Sequence, residues 1–124
     1  MDFRTVGYPG LLERDDPFWA ELSLSLNARR ISTPILMQLA DDEYLDALES
    51  FTALREAGAP VDMFMFPGEH HVKWQPAHRL AIYQRSIDWF DYWLRGLRSQ
   101  SVQRQRELQS WDRLREQQRP TKPI

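Results

Sequence analysis

The feature that most constrains this chain is an alternation of two residue patterns between positions 33 and 96. "TPILMQLA" (33–40) is a short apolar run behind a proline. Such a run suits a strand covered on both faces, as in a parallel sheet. "DDEYLDALESFTALREAG" follows at once. Its Tyr44, Leu45, Leu48, Phe51, Thr52 and Leu54 recur at mostly helical spacing, and Gly58 is a natural stop. "APVDMFMFPG" then alternates Val61, Met63 and Met65 against Asp62, Phe64 and Phe66, as a strand closed by Pro67-Gly68 does. "PAHRLAIYQRSIDWFDYWLRG" reads as a long helix from Pro76 to Gly96. Its stripe is Leu80, Ile82, Tyr83, Ile87, Phe90 and Leu94, widened by Trp89 and Trp93, and Trp89, Phe90 and Trp93 are expected in the core. Strand, helix, strand, helix is the order of a parallel α/β sheet. Two strands leave both faces and both edges needing partners, so the pattern looks like the end of a larger α/β domain.

The flanks are less regular. "GYPG" (7–10) reads as a turn, and Asp16-Pro17 as the cap and first residue of a short helix. From residue 97 the chain is rich in Arg and Gln. Val102, Leu108, Trp111 and Leu114 give it only a thin apolar stripe, so a solvated or loosely docked helix is expected, with a frayed "RPTKPI" end. Residues 1–96 are therefore read as the α/β part and 97–124 as a charged helical or disordered tail. A partner-binding helix is the other reading of that tail.

Composition removes several classes. The 124 residues are 42% hydrophobic with five Trp, enough for a core. The net charge of -2, with acids and bases mixed, gives no basic stripe for nucleic acid. No run approaches the ~20 apolar residues of a membrane span. Cysteine is absent, which excludes disulfides and thiolate metal sites and fits a reducing compartment. The N-terminal residues lack a signal-peptide pattern, so a soluble, cytoplasmic protein is expected.

In an open α/β sheet, chemistry collects at the carboxyl ends of the strands. The first strand ends at "ADDE" and the second at "PGEHH". Parallel strands would bring Asp41, Asp42, Glu43, His70 and His71 to one rim. An acid beside a histidine is the orienting half of a Ser-His-acid triad: it accepts the imidazole N–H, fixes the tautomer and stabilises the imidazolium. In α/β-hydrolases the chain order is nucleophile, acid, histidine.

"TPILMQLADDE", "ALREAG", "FPGEHH" and "IDWFDYWLRG" stand here in the order found at the C-terminal end of the prolyl oligopeptidase family of serine peptidases. Residues 34–96 resemble that family. "MQLADDEYLDALESFTALREAG" with "EHHVKWQPAHRLAIYQRSIDWF" is still more similar to its lasso-peptide isopeptidase branch, whose members carry an N-terminal β-propeller and open the isopeptide ring of threaded peptides. The resemblance implies the C-terminal part of an α/β-hydrolase fold, with no cofactor. It also implies a peptide substrate, and as partners the nucleophile-bearing remainder of the hydrolase domain and a β-propeller.

The family's histidine stands four positions after the strand-ending proline, which from Pro67 is His71, with His70 as alternate. Its acid stands nine positions after the strand-leading proline, which from Pro34 is Glu43; Asp42 is second and Asp41 third. The chain departs from the pattern in carrying Gln38-Leu39-Ala40 for the usual His-Gly region, Glu for Asp, and a shorter loop. Losing acids are expected to cap the following helix. No G-x-S-x-G occurs, and Ser23 and Ser25 in "LSLSLNA" lack flanking glycines. The chain alone is thus expected to be inactive, and a non-catalytic interaction module derived from a hydrolase is the rival reading. Metal binding is disfavoured, because adjacent residues on an extended segment point apart. Trp74 either touches substrate or covers the start of the long helix, and His78 is expected to be an exposed first-turn residue.

Overall fold

The computed structural model describes residue 7 and residues 15–118. Apart from Gly7, the "GYPG" turn lies outside the described residues, as does "RPTKPI". Asp16 caps α1 (Pro17–Leu22) by accepting the Phe18 N–H at 2.9 Å, and Pro17 takes a position where its missing N–H leaves no bond unmade. Ser23 caps the single turn α2 (Leu24–Asn27). Its hydroxyl lies 2.9 Å from that of Ser25, which donates to Glu49. Both serines are capping and tethering groups.

β1 (Ile35–Ala40) and β2 (Val61–Phe66) pair in parallel, Ile35 opposite Val61 and Ala40 opposite Phe66. The crossover is α3 (Tyr44–Glu56), which ends just before Gly58. Alternate strand residues serve opposite faces. Ile35, Met37 and Val61 pack with Leu54 of α3 and with Ala28. Leu36 turns the other way, towards Trp89, Tyr92, Leu108, Trp111 and Leu114. The layers are helix, sheet, helix.

The second helical layer is α4 (Pro76–Phe90) and α5 (Gln105–Gln117). Pro76 opens α4, and one wide π turn (Asp91–Arg95) carries it to Gly96. Gly96 has φ +66°, the left-handed cap conformation that costs glycine least. Phe90 departs from expectation. Trp89 is buried and Trp93 half-buried, but Phe90 is 58% exposed. The reason is geometric. α4 meets the sheet and α5 along Arg85, Trp89 and Tyr92, so Leu80, Tyr83, Ile87, Phe90 and Leu94 are left on its open side.

The tail helix is the second departure. α5 is not solvated: Leu108, Trp111 and Leu114 are buried, and Trp111 is 0% exposed. Three apolar residues suffice because one is a tryptophan set edge-on to Trp89, ring centroids 5.1 Å apart, with its indole N–H donated to Asp62 at 2.9 Å. The charges around it are also paired. Arg85 grips Glu107 through two nitrogens, at 2.7 and 3.1 Å, while lying 3.5 Å over the Phe64 ring. Arg104 bridges Asp88 and Glu107. Asp112 accepts from Arg98 and from the Tyr92 hydroxyl, which holds its carboxyl down at about 2. Burial and the Asp112 bond push the Tyr92 phenol up to about 12. Among the described residues no helix is long and apolar enough to cross a membrane.

Two outcomes follow from this packing. Trp111→Ala should cost about 3–5 kcal/mol of unfolding free energy in a urea titration, the cost of emptying a large aromatic site. Asp112 should contribute stability that is fully present above its ordinary value of 3.8 and is lost as pH falls through about 2. Thermal melts between pH 6 and pH 2 should therefore decline less steeply in Asp112→Asn than in the wild type.

Candidate active site

Because the parallel strands end level, the loop after Ala40 and the loop after Phe66 share one rim. The second loop begins at Pro67-Gly68. Gly68 has φ +68°, which a side chain would strain, and its N–H donates to Asp41 at 2.8 Å. That bond holds the Asp41 carboxyl below its usual range. Beyond it the loop presents both histidines to the acid loop. His70 Nδ1 lies 3.2 Å from Asp42 Oδ2, and His71 Nδ1 is hydrogen-bonded to Glu43 Oε1. Five sequence candidates thus meet at one rim: two separate acid–histidine pairs, with Asp41 on the Gly68 N–H.

Glu43 occupies the cap position of α3 without capping it, and neither Asp41 nor Asp42 caps the helix. Its side chain folds back, and Oε2 accepts from the Ala40 N–H at 2.8 Å and from Lys73 Nζ at 3.0 Å. The Ala40 bond first, then His71 and Lys73, bring its carboxyl down to about 2. It is therefore an acceptor-only carboxylate, so the proton of the His71–Glu43 bond sits on Nδ1. The opposite nitrogen, Nε2, is the basic one, and the ring is 88% exposed at the side chain. A cleft of about 450 Å³ opens here, lined by Gln38, Leu39, Glu43, His71, Val72, Lys73, Arg79, Ile82 and Tyr83. An imidazole with its tautomer fixed by a carboxylate and its exposed ring lining a cleft can take a proton on Nε2 from a hydroxyl placed there.

Sequence patterns gave no role to Glu69 or Lys73, and they placed His78 wrongly. Glu69 is 1% exposed and accepts from the Trp74 N–H (3.0 Å), the Gln75 N–H (3.1 Å) and His78 Nδ1 (2.8 Å). Burial alone would raise its carboxyl; the Trp74, His78 and Gln75 bonds outweigh that and leave it below the ordinary value. His78 is not an exposed first-turn residue but a partly buried one, held between Glu69 and the Phe66 ring. Trp74 is 68% exposed, so it does not cover the start of α4. A hint of Glu69's burial lay in an acid directly behind a strand-closing turn, but the backbone donors it collects carry no sequence mark. Among the described residues no cluster of three or more His, Cys, Asp or Glu side chains could hold a metal.

A parallel strand-helix-strand-helix unit with acids after the first strand and histidines after the second is a piece of an α/β-hydrolase fold. Residues 13–97 match the model of the prolyl oligopeptidase family, and the chain belongs to that family. It is similar to the lasso peptide isopeptidase AtxE2 of Asticcacaulis excentricus, with 52% identity over 101 residues. That match covers 82% of this chain and 14% of the relative. Two solved AtxE2 isopeptidase structures superpose on it. One is a variant with Astexin3-dC4 bound: TM-score 0.81, 50% identity, 85% of this chain and 16% of that one. The other is the apo form: TM-score 0.82, 49% identity, 86% and 16%. The chain therefore spans about a seventh of the length of its relatives.

Glu69 generates a structural prediction. Glu69→Ala would leave two loop N–H groups and a histidine without their acceptor, at a cost of roughly 1–3 kcal/mol. Hydrogen exchange should quicken at the Trp74 and Gln75 amides, while the α5 amides keep their relative protection.

Proposed function

We propose that this chain supplies the histidine and the acid of a serine peptidase. In this reading His71 is the general base: Nε2 takes the proton of a serine hydroxyl during attack and returns it to the leaving amine. Glu43 orients His71 through Nδ1 and stabilises the imidazolium. The observation that carries the reading is the His71–Glu43 hydrogen bond at the carboxyl ends of two parallel strands, made by an exposed ring that lines a cleft. His70 and Asp42 form a longer pair beside it, with a more exposed acid, and are assigned no catalytic part. Trp74, exposed at the same rim, is assigned to substrate contact.

The substrate class proposed is a peptide or isopeptide bond in a lasso peptide. Similarity to AtxE2 supports this. The serine and its oxyanion hole are assigned to hydrolase sequence beyond these 124 residues, which contain no G-x-S-x-G, so the chain alone is expected to be inactive. Residues 1–96 are assigned to the hydrolase part and 97–124 to a charged tail whose helix docks on it. The open side of α4, with Leu80, Tyr83, Ile87, Phe90 and Leu94, favours a partner surface, and the partner assigned to it is the rest of the hydrolase domain.

A chimera tests the assignment. Residues 15–118 would replace the matching segment of AtxE2, with ring opening of Astexin3-dC4 followed by mass spectrometry. His71→Ala is expected to lower the rate by roughly a thousandfold or more, and Glu43→Gln by at least a hundredfold. His70→Ala and Asp42→Asn should stay within about tenfold of the parent. A reversed order between the two pairs would refute the assignment.

A further inference from the structure

Within the exposed stretch from His70 to Trp74, Lys73 is the side chain that turns inward. His70, His71, Val72 and Trp74 all stand in solvent, whereas the Lys73 side chain is 9% exposed. A lysine ordinarily keeps its ammonium in water, and withdrawing it is unfavourable unless it is paired. Here Nζ donates to Glu43 Oε2 at 3.0 Å and to the main-chain oxygen of His71 at 3.2 Å. A single side chain thus ties the acid loop to the histidine loop. The division of labour on Glu43 is also clean. Oε2 is taken by the Ala40 N–H and Lys73, so Oε1 is left for His71.

We propose that Lys73 is the positioning residue of this site, holding Glu43 in the one rotamer that presents Oε1 to His71 and so fixing the imidazole tautomer. The inference rests on the reading of Glu43 and His71 as acid and base, and deepens it. The physical need comes from glutamate itself. It has one more rotatable bond than aspartate, so a carboxylate at its end loses more conformational freedom when held in register. One backbone N–H on Oε2 still allows rotation about that bond. A second donor, from another loop, removes the freedom. The ammonium also keeps the carboxyl ionised alongside the Ala40 and His71 bonds. Other polar or charged groups near Glu43 are Gln38, Arg79 and Tyr83, which line the same cleft, Asp41 on the Gly68 N–H, and the neighbouring Asp42–His70 pair. Among the described residues, only Lys73 places a cation in contact with the carboxylate as a salt bridge independent of histidine protonation.

The test uses the isotope-labelled 124-residue chain. Imidazole ¹⁵N shifts report the His71 tautomer, and the Glu43 carboxyl ¹³C shift reports its titration from pH 2 to 7. In the wild type, His71 is expected chiefly as the Nδ1–H form and Glu43 should titrate near 2. Lys73→Met keeps the packed stem and removes the charge. It should raise the Glu43 midpoint by roughly a unit and let the Nε2–H tautomer rise to a large share. Lys73→Gln should do the same, and serves if the Met variant does not fold by circular dichroism. Lys73→Arg should restore both signals to near the wild-type pattern. Unchanged signals in the Met and Gln variants would overturn the proposal, as would equal shifts in Met, Gln and Arg variants, which mean packing alone. The underlying reading fails separately: Glu43→Gln would then leave the His71 tautomer unaltered, while the Glu43 titration still reports whether Lys73 holds the carboxylate.

Discussion

The parallel, in-register pairing of β1 with β2 is the constraint on which the rest depends. Ala40 stands opposite Phe66, so the two strands end at the same height. An acid loop and a histidine loop 28 residues apart in sequence are thereby set side by side. A register slip of one residue would move each loop by about 3.3 Å and turn every strand side chain to the opposite face. Leu36 would leave the Trp89–Trp111 cluster, and Glu43 would lose His71. The same pairing thus sets both the core and the rim chemistry.

The rim is built by giving each acid a different task. Asp41 accepts the Gly68 N–H and fixes the turn, Asp42 meets His70, and Glu43 meets His71 and Lys73. Glu69, buried beneath them, gathers the Trp74 and Gln75 N–H groups and His78. A loop of this length without regular structure needs partners for its backbone donors, and a buried carboxylate that accepts three hydrogen bonds supplies them compactly. Rigidity of the histidine loop therefore comes from acids rather than from apolar contacts. This is consistent with its exposed side chains.

α4 divides the molecule into a finished side and an unfinished one. Along Arg85, Trp89 and Tyr92 it is sealed by the sheet and by α5, and the ion pairs of Arg85 with Glu107 and of Asp88 with Arg104, just ahead of α5, are partly shielded from water. Along Leu80, Tyr83, Ile87, Phe90 and Leu94 it shows apolar side chains to solvent. An amphipathic helix with two apolar faces belongs between two layers. In the proposed reading, the layer that covers this open side is the rest of the hydrolase domain.

Local sequence determined the element order, because periods of 2 and 3.6 are set by backbone geometry and are visible without contacts. The Asp16 cap, the apolar run of β1, the stop at Gly96 and the meeting of residues 41–43 with 70–71 all follow from it. Tertiary structure decided which faces are buried and which partners each charge finds. The position of Phe90 depended on which face α4 turns to the sheet and α5, and the burial of α5 depended on Trp111 reaching Asp62 on the sheet face that also carries Leu36. Lys73, Glu69 and His78 were illegible for the same reason. Their roles rest on backbone N–H groups and carboxylates brought close by the fold, and a backbone donor leaves no trace in the order of side chains.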